Sequence, residues 1–261
     1  MFDLKGKVAV VTGGGSGIGE ATALELGALG AHVVVADINA GNADKVRAAL
    51  NEAGVDAMAL ELNVTDATAV ESAFDSIERW KGKPVDILVN SAGLISVSPI
   101  LELGIEEWNR VMSVNVTGTF LCSQRAAKGM QAQGYGRIVN LSSISAERAG
   151  VGRVVYGTSK AAVAALTRQF AMEMGPYGIT TNAVAPGPVV TPMTEKSYDA
   201  ETVAAFSSMI PARRLGTLRE MSTTIAFLCS EHAGYINGQY LAVDGGYVIA
   251  GVARTGGVVA G

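Results

Sequence analysis

The chain has 261 residues, 49% of them apolar, with 20 basic and 24 acidic side chains for a net charge of -4 and a mean hydropathy of +0.30. That length suits one large domain, and no shift in composition marks a linker. The mildly acidic balance, without a basic cluster, excludes nucleic acid as an expected partner, and the high apolar content fits strands buried on both faces of a parallel sheet.

The chain opens Met-Phe-Asp-Leu-Lys-Gly-Lys, without the basic start and apolar stretch of a signal peptide. No apolar run approaches the roughly 20 residues of a membrane span, so a cytoplasmic protein with no membrane partner is expected. Cys122 and Cys229 lie far apart and outside any metal-ligand spacing, which predicts buried thiols rather than a disulfide or a metal site.

Taken in order, a β-branched run at Val8 to Val11 leads into a helical stretch over Gly17 to Leu29. A second run, His32 to Ala36, leads into another helical stretch over Ala43 to Ala53. Further strand-like runs follow at Ala57 to Leu62, Ile87 to Asn90, Arg137 to Leu141 and Thr180 to Val184. Regular β-then-α alternation predicts parallel strands joined by right-handed crossovers, an α/β doubly wound sheet. Such sheets bind ligands beyond the carboxyl ends of their strands, which directs attention to the loop after each run.

After the first strand comes Thr12-Gly13-Gly14-Gly15-Ser16-Gly17-Ile18-Gly19. Its glycines permit a turn that approaches a pyrophosphate closely, and the helix start at Ser16 to Gly19 offers free N–H groups. The spacing departs from the general dinucleotide fingerprint, and a plain strand-to-helix turn is the competing explanation. Asp37 follows the second strand, 24 residues after Gly13, where a carboxylate accepts hydrogen bonds from ribose hydroxyls. Neither Ser16 nor Ile38 supplies a cation to offset a 2′-phosphate, so NAD is expected over NADP. An ordinary strand-end aspartate is the alternative.

Tyr156-Gly157-Thr158-Ser159-Lys160 puts a phenol and an ammonium at i and i+4 on one helix face. At about 4 Å and an effective dielectric of about 20, such a cation is worth roughly 4 kcal/mol to a phenolate, enough to bring a tyrosine toward general acid–base use. Taken alone, the pair also fits a solvated helix face.

The pair is not alone. Thr12 to Gly19, Asn90-Ser91-Ala92-Gly93, Asn115, Ser142-Ser143, Tyr156 with Lys160, and Pro186-Gly187 with Thr191 occur in an order and spacing that resemble the short-chain dehydrogenase/reductase family, from Lys7 to Val243-Asp244-Gly245-Gly246. The resemblance implies a single Rossmann-like domain over 1–261, with about seven strands and helices on both faces. It further implies a substrate-lid segment at 190–215 and a C-terminal tail at 247–261.

It also implies that Tyr156 exchanges a proton with the substrate oxygen, that Lys160 lowers its pKa and binds the nicotinamide ribose, and that Asn115 holds a water linking Lys160 to solvent. Ser143, 13 residues before Tyr156, bonds the reacting carbonyl; Ser142 is the alternative. The cofactor set is then Gly13, Ser16, Gly17, Ile18, Gly19, Asp37, Ile38, Asn63, Val64, Asn90, Ala92, Gly93, Tyr156, Lys160, Pro186, Gly187, Val189 and Thr191. Asn90 to Gly93 form a wall beside the adenosine. Asn63 stands where the family often has Asp, and Ser91 where it often has a second Asn. No metal is implied.

Ser145 and Arg153 join Ser143 and Tyr156 as candidate substrate contacts. A guanidinium at 153 suits a carboxylate or phosphate; a surface arginine snorkelling over apolar neighbours is the competing account. Family relatives pair the helices after Asn115 (Phe120, Leu121, Ala126, Ala127, Met130) and after Tyr156 (Ala161, Ala162, Ala164, Ala165), so a homotetramer is expected.

The expected function is NAD-dependent interconversion of a secondary alcohol and a ketone, on a small polyol, sugar-derived or hydroxy-acid substrate. A 3-ketoacyl-carrier-protein reductase is the first rival; Gly134 and Tyr177 stand where its carrier-docking arginines belong, and Asp37 disfavours its NADP. The second is a non-catalytic NAD-binding sensor, which the complete Asn115, Ser143, Tyr156 and Lys160 set opposes.

Overall fold

A computed structural model describes residues 3–191 and 199–251, together with the backbone of 254–255 and 258–259. Seven parallel strands form one sheet: β1 (Val8–Thr12), β2 (His32–Asp37), β3 (Ala57–Glu61), β4 (Ile87–Asn90), β5 (Gly136–Leu141), β6 (Ile179–Pro186) and β7 (Tyr240–Val243), in the order β3-β2-β1-β4-β5-β6-β7. Six of them match the runs anticipated, some longer by one to two residues at an end. The seventh, β7, was not located beforehand, because Tyr-Leu-Ala-Val is short and only partly buried.

The described helices are α1 (Gly17–Ala28), α2 (Ala40–Glu52), α3 (Ala67–Lys81), α4 (Ile105–Met112), α5 (Thr119–Gln133), α6 (Val154–Met174), α7 (Ala200–Met209) and α8 (Leu218–Leu228), of which α1, α2, α3, α5, α6 and α8 cover the sheet. Strand alternation divides the core into two layers. Ala9, Val11, Val33, Val35, Ile87 and Val89 pack against Leu26 of α1, Leu50 of α2 and Ile225 of α8. Val8, Val10, Val34 and Leu88 face the other way, onto Phe74 and Ile77 of α3 and Cys122 and Met130 of α5.

Burial on both faces explains the apolar composition. Cys122 and Cys229 are both buried free thiols, and no described helix is long and apolar enough to cross a membrane.

Two features position the site. Chain order reverses between β1 and β4, whose paired ends are Thr12 and Asn90, and the crevice of a doubly wound sheet opens there. Several helices carry side-chain caps: Asn39 on α2, Asp66 on α3, and a Thr217/Glu220 capping box on α8. By contrast Ser16, at the start of α1, makes no capping bond, so the first amides of α1 stay open toward the crevice.

Of the expected lid segment, 190–215, positions 192–198 lie outside the described residues; within the rest α7 forms, and Val190 is tied back by a bond from its amide to Gly216 O at 3.0 Å. In the tail, Arg254–Thr255 pairs antiparallel with Val258–Val259. The remaining tail positions beyond 251 lie outside the described residues.

Candidate active site

A cleft of about 810 Å³ runs across the carboxyl ends of the strands. The loop after β1 forms its floor. Gly13 has φ +63, and a Cβ there would stand 2.7 Å from both Cα and N of Ala92, so this glycine lets the two loops at the switch point touch. A Cβ on Gly19 would fall 2.1 Å from Gly13 O; this residue closes the turn from inside and does not line the cleft. Gly13, Ser16, Gly17 and Ile18 do line it, as do Asp37, Ile38, Asn63 and Val64.

Asp37 is held by two backbone amides: Gly15 N donates to Oδ2 at 3.0 Å and Asn39 N to Oδ1 at 2.9 Å. Asn63 Oδ1 is already used by the amide and hydroxyl of Thr65, which leaves its NH₂ group to face the cleft. A glycine cradle, uncapped helix amides and an adjacent carboxylate together fit a pyrophosphate and a diol-bearing ribose.

Asn90 is a correction. Although Ser91, Ala92 and Gly93 line the cleft, Asn90 does not; its amide is buried and donates to Ser123 Oγ at 2.9 Å and Asn140 Oδ1 at 2.8 Å. Asn140 continues to Thr167 on α6. Its task is to fasten β4 to β5 and α5, because alternation at a strand end turns this side chain toward the helices.

The wall that carries the candidate catalytic residues is built by the end of β5 and the start of α6. Ser142 and Ser143 differ in what they offer. Ser142 Oγ donates to Lys160 O at 2.8 Å and so is spent on α6. Ser143 Oγ accepts from Ser145 N at 3.1 Å, which leaves its proton to give. Tyr156 lines the cleft beside them, as do Pro186, Gly187, Val189 and Thr191 on the opposite side.

Lys160 is buried, and its ammonium donates to Leu141 O at 2.6 Å. Nζ lies 5.9 Å from the centre of the Tyr156 ring, which sets the ammonium beside the phenol while the strand carbonyl anchors it. Burial lowers its pKa to about 8.

Asn115 sits in a π-helical turn, Ser113–Gly118, between α4 and α5, a distortion frequent at functional sites. Its amide accepts from Leu94 N at 2.7 Å and donates to Leu94 O and Ser159 Oγ. Both N–H groups of the Asn115 side chain are thereby engaged, so the expected water is left with the carbonyl oxygens of this residue as its partners. Asn115 and Lys160 meet around Gly93, where an added Cβ would stand 3.3 Å from Asn115 Oδ1 and 3.4 Å from Lys160 Nζ.

Ser145, Arg148 and Arg153 line the outer cleft. Arg148 is occupied, bonding Tyr247 O at 2.5 Å and lying over the Tyr247 ring at 4.2 Å. Arg153 is 5.8 Å from the Tyr156 ring centre and makes no ion pair among the described residues. Phe206 of α7 and Tyr247 close this end, their ring centres 6.3 Å apart. Neither aromatic was singled out from the sequence; the one signal for Tyr247 was its place directly after Gly245-Gly246.

Comparison with known proteins agrees with this geometry. The sequence family "Enoyl-(Acyl carrier protein) reductase" matches residues 13–248. Short-chain reductase protein NovJ of Streptomyces niveus is 40% identical over 247 residues, covering 92% of this chain and 93% of its own. D-threitol dehydrogenase of Mycolicibacterium smegmatis is 37% identical over 248 residues, covering 95% of each. A solved 7α-hydroxysteroid dehydrogenase, complexed with NADH and 7-oxo glycochenodeoxycholic acid, superposes with a TM-score of 0.90 at 34% identity, over 94% of this chain and 95% of that one.

Proposed function

This chain belongs to the short-chain dehydrogenase/reductase family, and we propose that within it the protein uses NAD to interconvert a secondary alcohol and a ketone on a small polyol, sugar-derived or hydroxy-acid substrate. The family's oxidoreductases act on CH–OH and ketone groups with a nicotinamide cofactor. The observation that carries the proposal is the grouping of Ser143, Tyr156 and Lys160 on one wall of a cleft whose floor is the glycine loop.

The nicotinamide, when bound, supplies or takes the hydride; the chain supplies position and proton. Tyr156 gives a proton to the ketone oxygen or takes one from the alcohol. Ser143 donates to the same oxygen, its own Oγ being steadied by Ser145 N. Lys160, cationic at neutral pH with a pKa of about 8, favours the phenolate form of its neighbour. Asn115 fixes the Gly93–Leu94 backbone against α6, and so fixes the space in which Lys160 sits.

Asp37 supports NAD, since it lines the cleft and, among the described residues, forms no ion pair with a lysine or arginine that could offset a second phosphate. Arg153 supports an anionic group on the substrate. The exposed strip of Phe120, Ala161, Ala165 and Met172 supports assembly through α5 and α6 into a homotetramer, whereas Ala126, Ala127 and Met130 are buried in the core and take no part. Light scattering checks this; a monomer would refute it.

The test is NADH formation across polyols, secondary alcohols and hydroxy acids, with NADP in parallel and Tyr156→Phe as control. Turnover with NAD, lost in the variant while NADH still binds, is the expected result. NADH binding with no turnover of any panel member favours the sensor.

The carrier-protein reductase reading is supported by the matching family's description and by relatives such as the 3-oxoacyl-[acyl-carrier-protein] reductase FabG of Aquifex aeolicus, 37% identical over 244 residues, 93% of this chain and 98% of its own. Gly134 caps α5 in the left-handed conformation and Tyr177 is exposed, so neither offers the cation that an acidic carrier requires. Turnover of a ketoacyl thioester with NADPH, but not of the alcohol panel, would favour it.

A further inference from the structure

Ser143 depends on a residue from the far edge of the sheet. Tyr240, the first residue of β7, donates its hydroxyl proton to Ser143 O at 2.6 Å, across 97 positions of sequence. That carbonyl also accepts Ala146 N at 2.9 Å, the bond that closes the short 3₁₀ turn Ile144–Ala146. The turn in turn presents Ser145 N to Ser143 Oγ. The peptide following Ser143 is thus held from two sides, by its own turn and by a phenol that reaches over β6 to the end of β5.

We propose that Tyr240 is a positioning residue for the reaction: by fixing the Ser143 carbonyl it sets where the Ser143 hydroxyl points. Tyr240 does not line the cleft, so it acts through Ser143 and does not touch substrate. Burial, followed by the carboxylates of Glu147 and Asp244, holds its phenol above the usual tyrosine range, and it therefore remains a donor at every working pH. Among the described residues β7 pairs with β6 alone, through Ala183↔Tyr240 to Pro186↔Val243. The edge strand is thereby coupled to the active site by this one hydroxyl as well as by its ladder.

The inference rests on the proposed role of Ser143, and the test separates the two. Tyr240→Phe keeps the ring and removes the hydroxyl. With the polyol and hydroxy-acid panel, kcat is expected to fall about tenfold, the order of loss for a misplaced reacting group. The KM for NAD, the affinity for NADH and the pH dependence should stay as in the parent. Hydrogen exchange over 143–148 should quicken in the NADH complex. In a Ser143→Ala background the same change should cost no further rate.

Several results would overturn the proposal: unchanged kcat and exchange in Tyr240→Phe, a full tenfold loss persisting beside Ser143→Ala, or a pH limb that disappears with the hydroxyl. If Ser143→Ala is itself fully active, the role given to Ser143 fails and this inference falls with it. If Ser143→Ala is crippled while Tyr240→Phe is normal, only this inference falls.

Discussion

Lys160 donates its ammonium proton to the backbone carbonyl of Leu141 at 2.6 Å, inside the protein. Burial lowers its pKa from the ordinary 10.5 to about 8. The unfolded chain therefore binds more protons between about pH 8 and 10.5, and the contribution of this residue to stability rises with pH through that window. Below it, the cost of burying the charge is present in full, on the order of 3 kcal/mol. Lys160→Met is expected to lose turnover and to gain in stability on the parent at neutral pH, with the gain shrinking toward pH 10. Urea unfolding at several pH values measures this; a difference independent of pH would contradict it.

Asp37 binds Gly15 N and Asn39 N as well as facing the cleft. Asp37→Ser removes the charge that repels a 2′-phosphate and loosens the glycine loop. The expected outcome is a fall of about tenfold in kcat/KM with NAD, about 1.4 kcal/mol, and a rise with NADP. Steady-state kinetics with both cofactors decide it, and unchanged selectivity would remove Asp37 from the cofactor site.

Gly13 and Gly82 both have positive φ, +63 and +67, yet an added Cβ meets Ala92 backbone at 2.7 Å in the first case and nothing within 4 Å in the second. Gly82→Ala should cost only the left-handed strain, about 1–2 kcal/mol. Gly13→Ala adds a backbone clash and should cost about 3 kcal/mol or more, and NADH affinity with it. Thermal unfolding of the two variants side by side separates strain from contact.

Arg153 has its guanidinium near Tyr156 and no carboxylate partner among the described residues. Arg153→Met should raise KM for hydroxy acids about tenfold or more and leave neutral polyols nearly unchanged, since a charge-assisted bond is worth about 1.5–3 kcal/mol. Equal effects on both substrate classes would point to a packing role.

Much of this was readable from the order of residues. β-Branched runs placed six of the seven strands because burial on both faces leaves little choice of composition. The glycine loop and the Tyr156/Lys160 spacing are local, so their geometry follows from one turn and one helix. Asn90 misled, since which way a strand-end side chain turns depends on a register set by its neighbours. The Phe206 and Tyr247 rings, and the Tyr240 hydroxyl, lie 50, 91 and 84 positions beyond Tyr156 and carry no local pattern.

Fold class was therefore determined by short-range periodicity, and the family, with the reacting groups that the resemblance implies, by the order and spacing of short motifs, which a linear chain displays directly. The tertiary structure alone decided which of two adjacent serines keeps its proton, that the Lys160 ammonium is anchored on the Leu141 carbonyl, and that the last strand of the sheet reaches the Ser143 carbonyl. Each of these turns on hydrogen bonds between groups distant in sequence, and a hydrogen bond depends on distance and angle in space, which sequence separation does not specify.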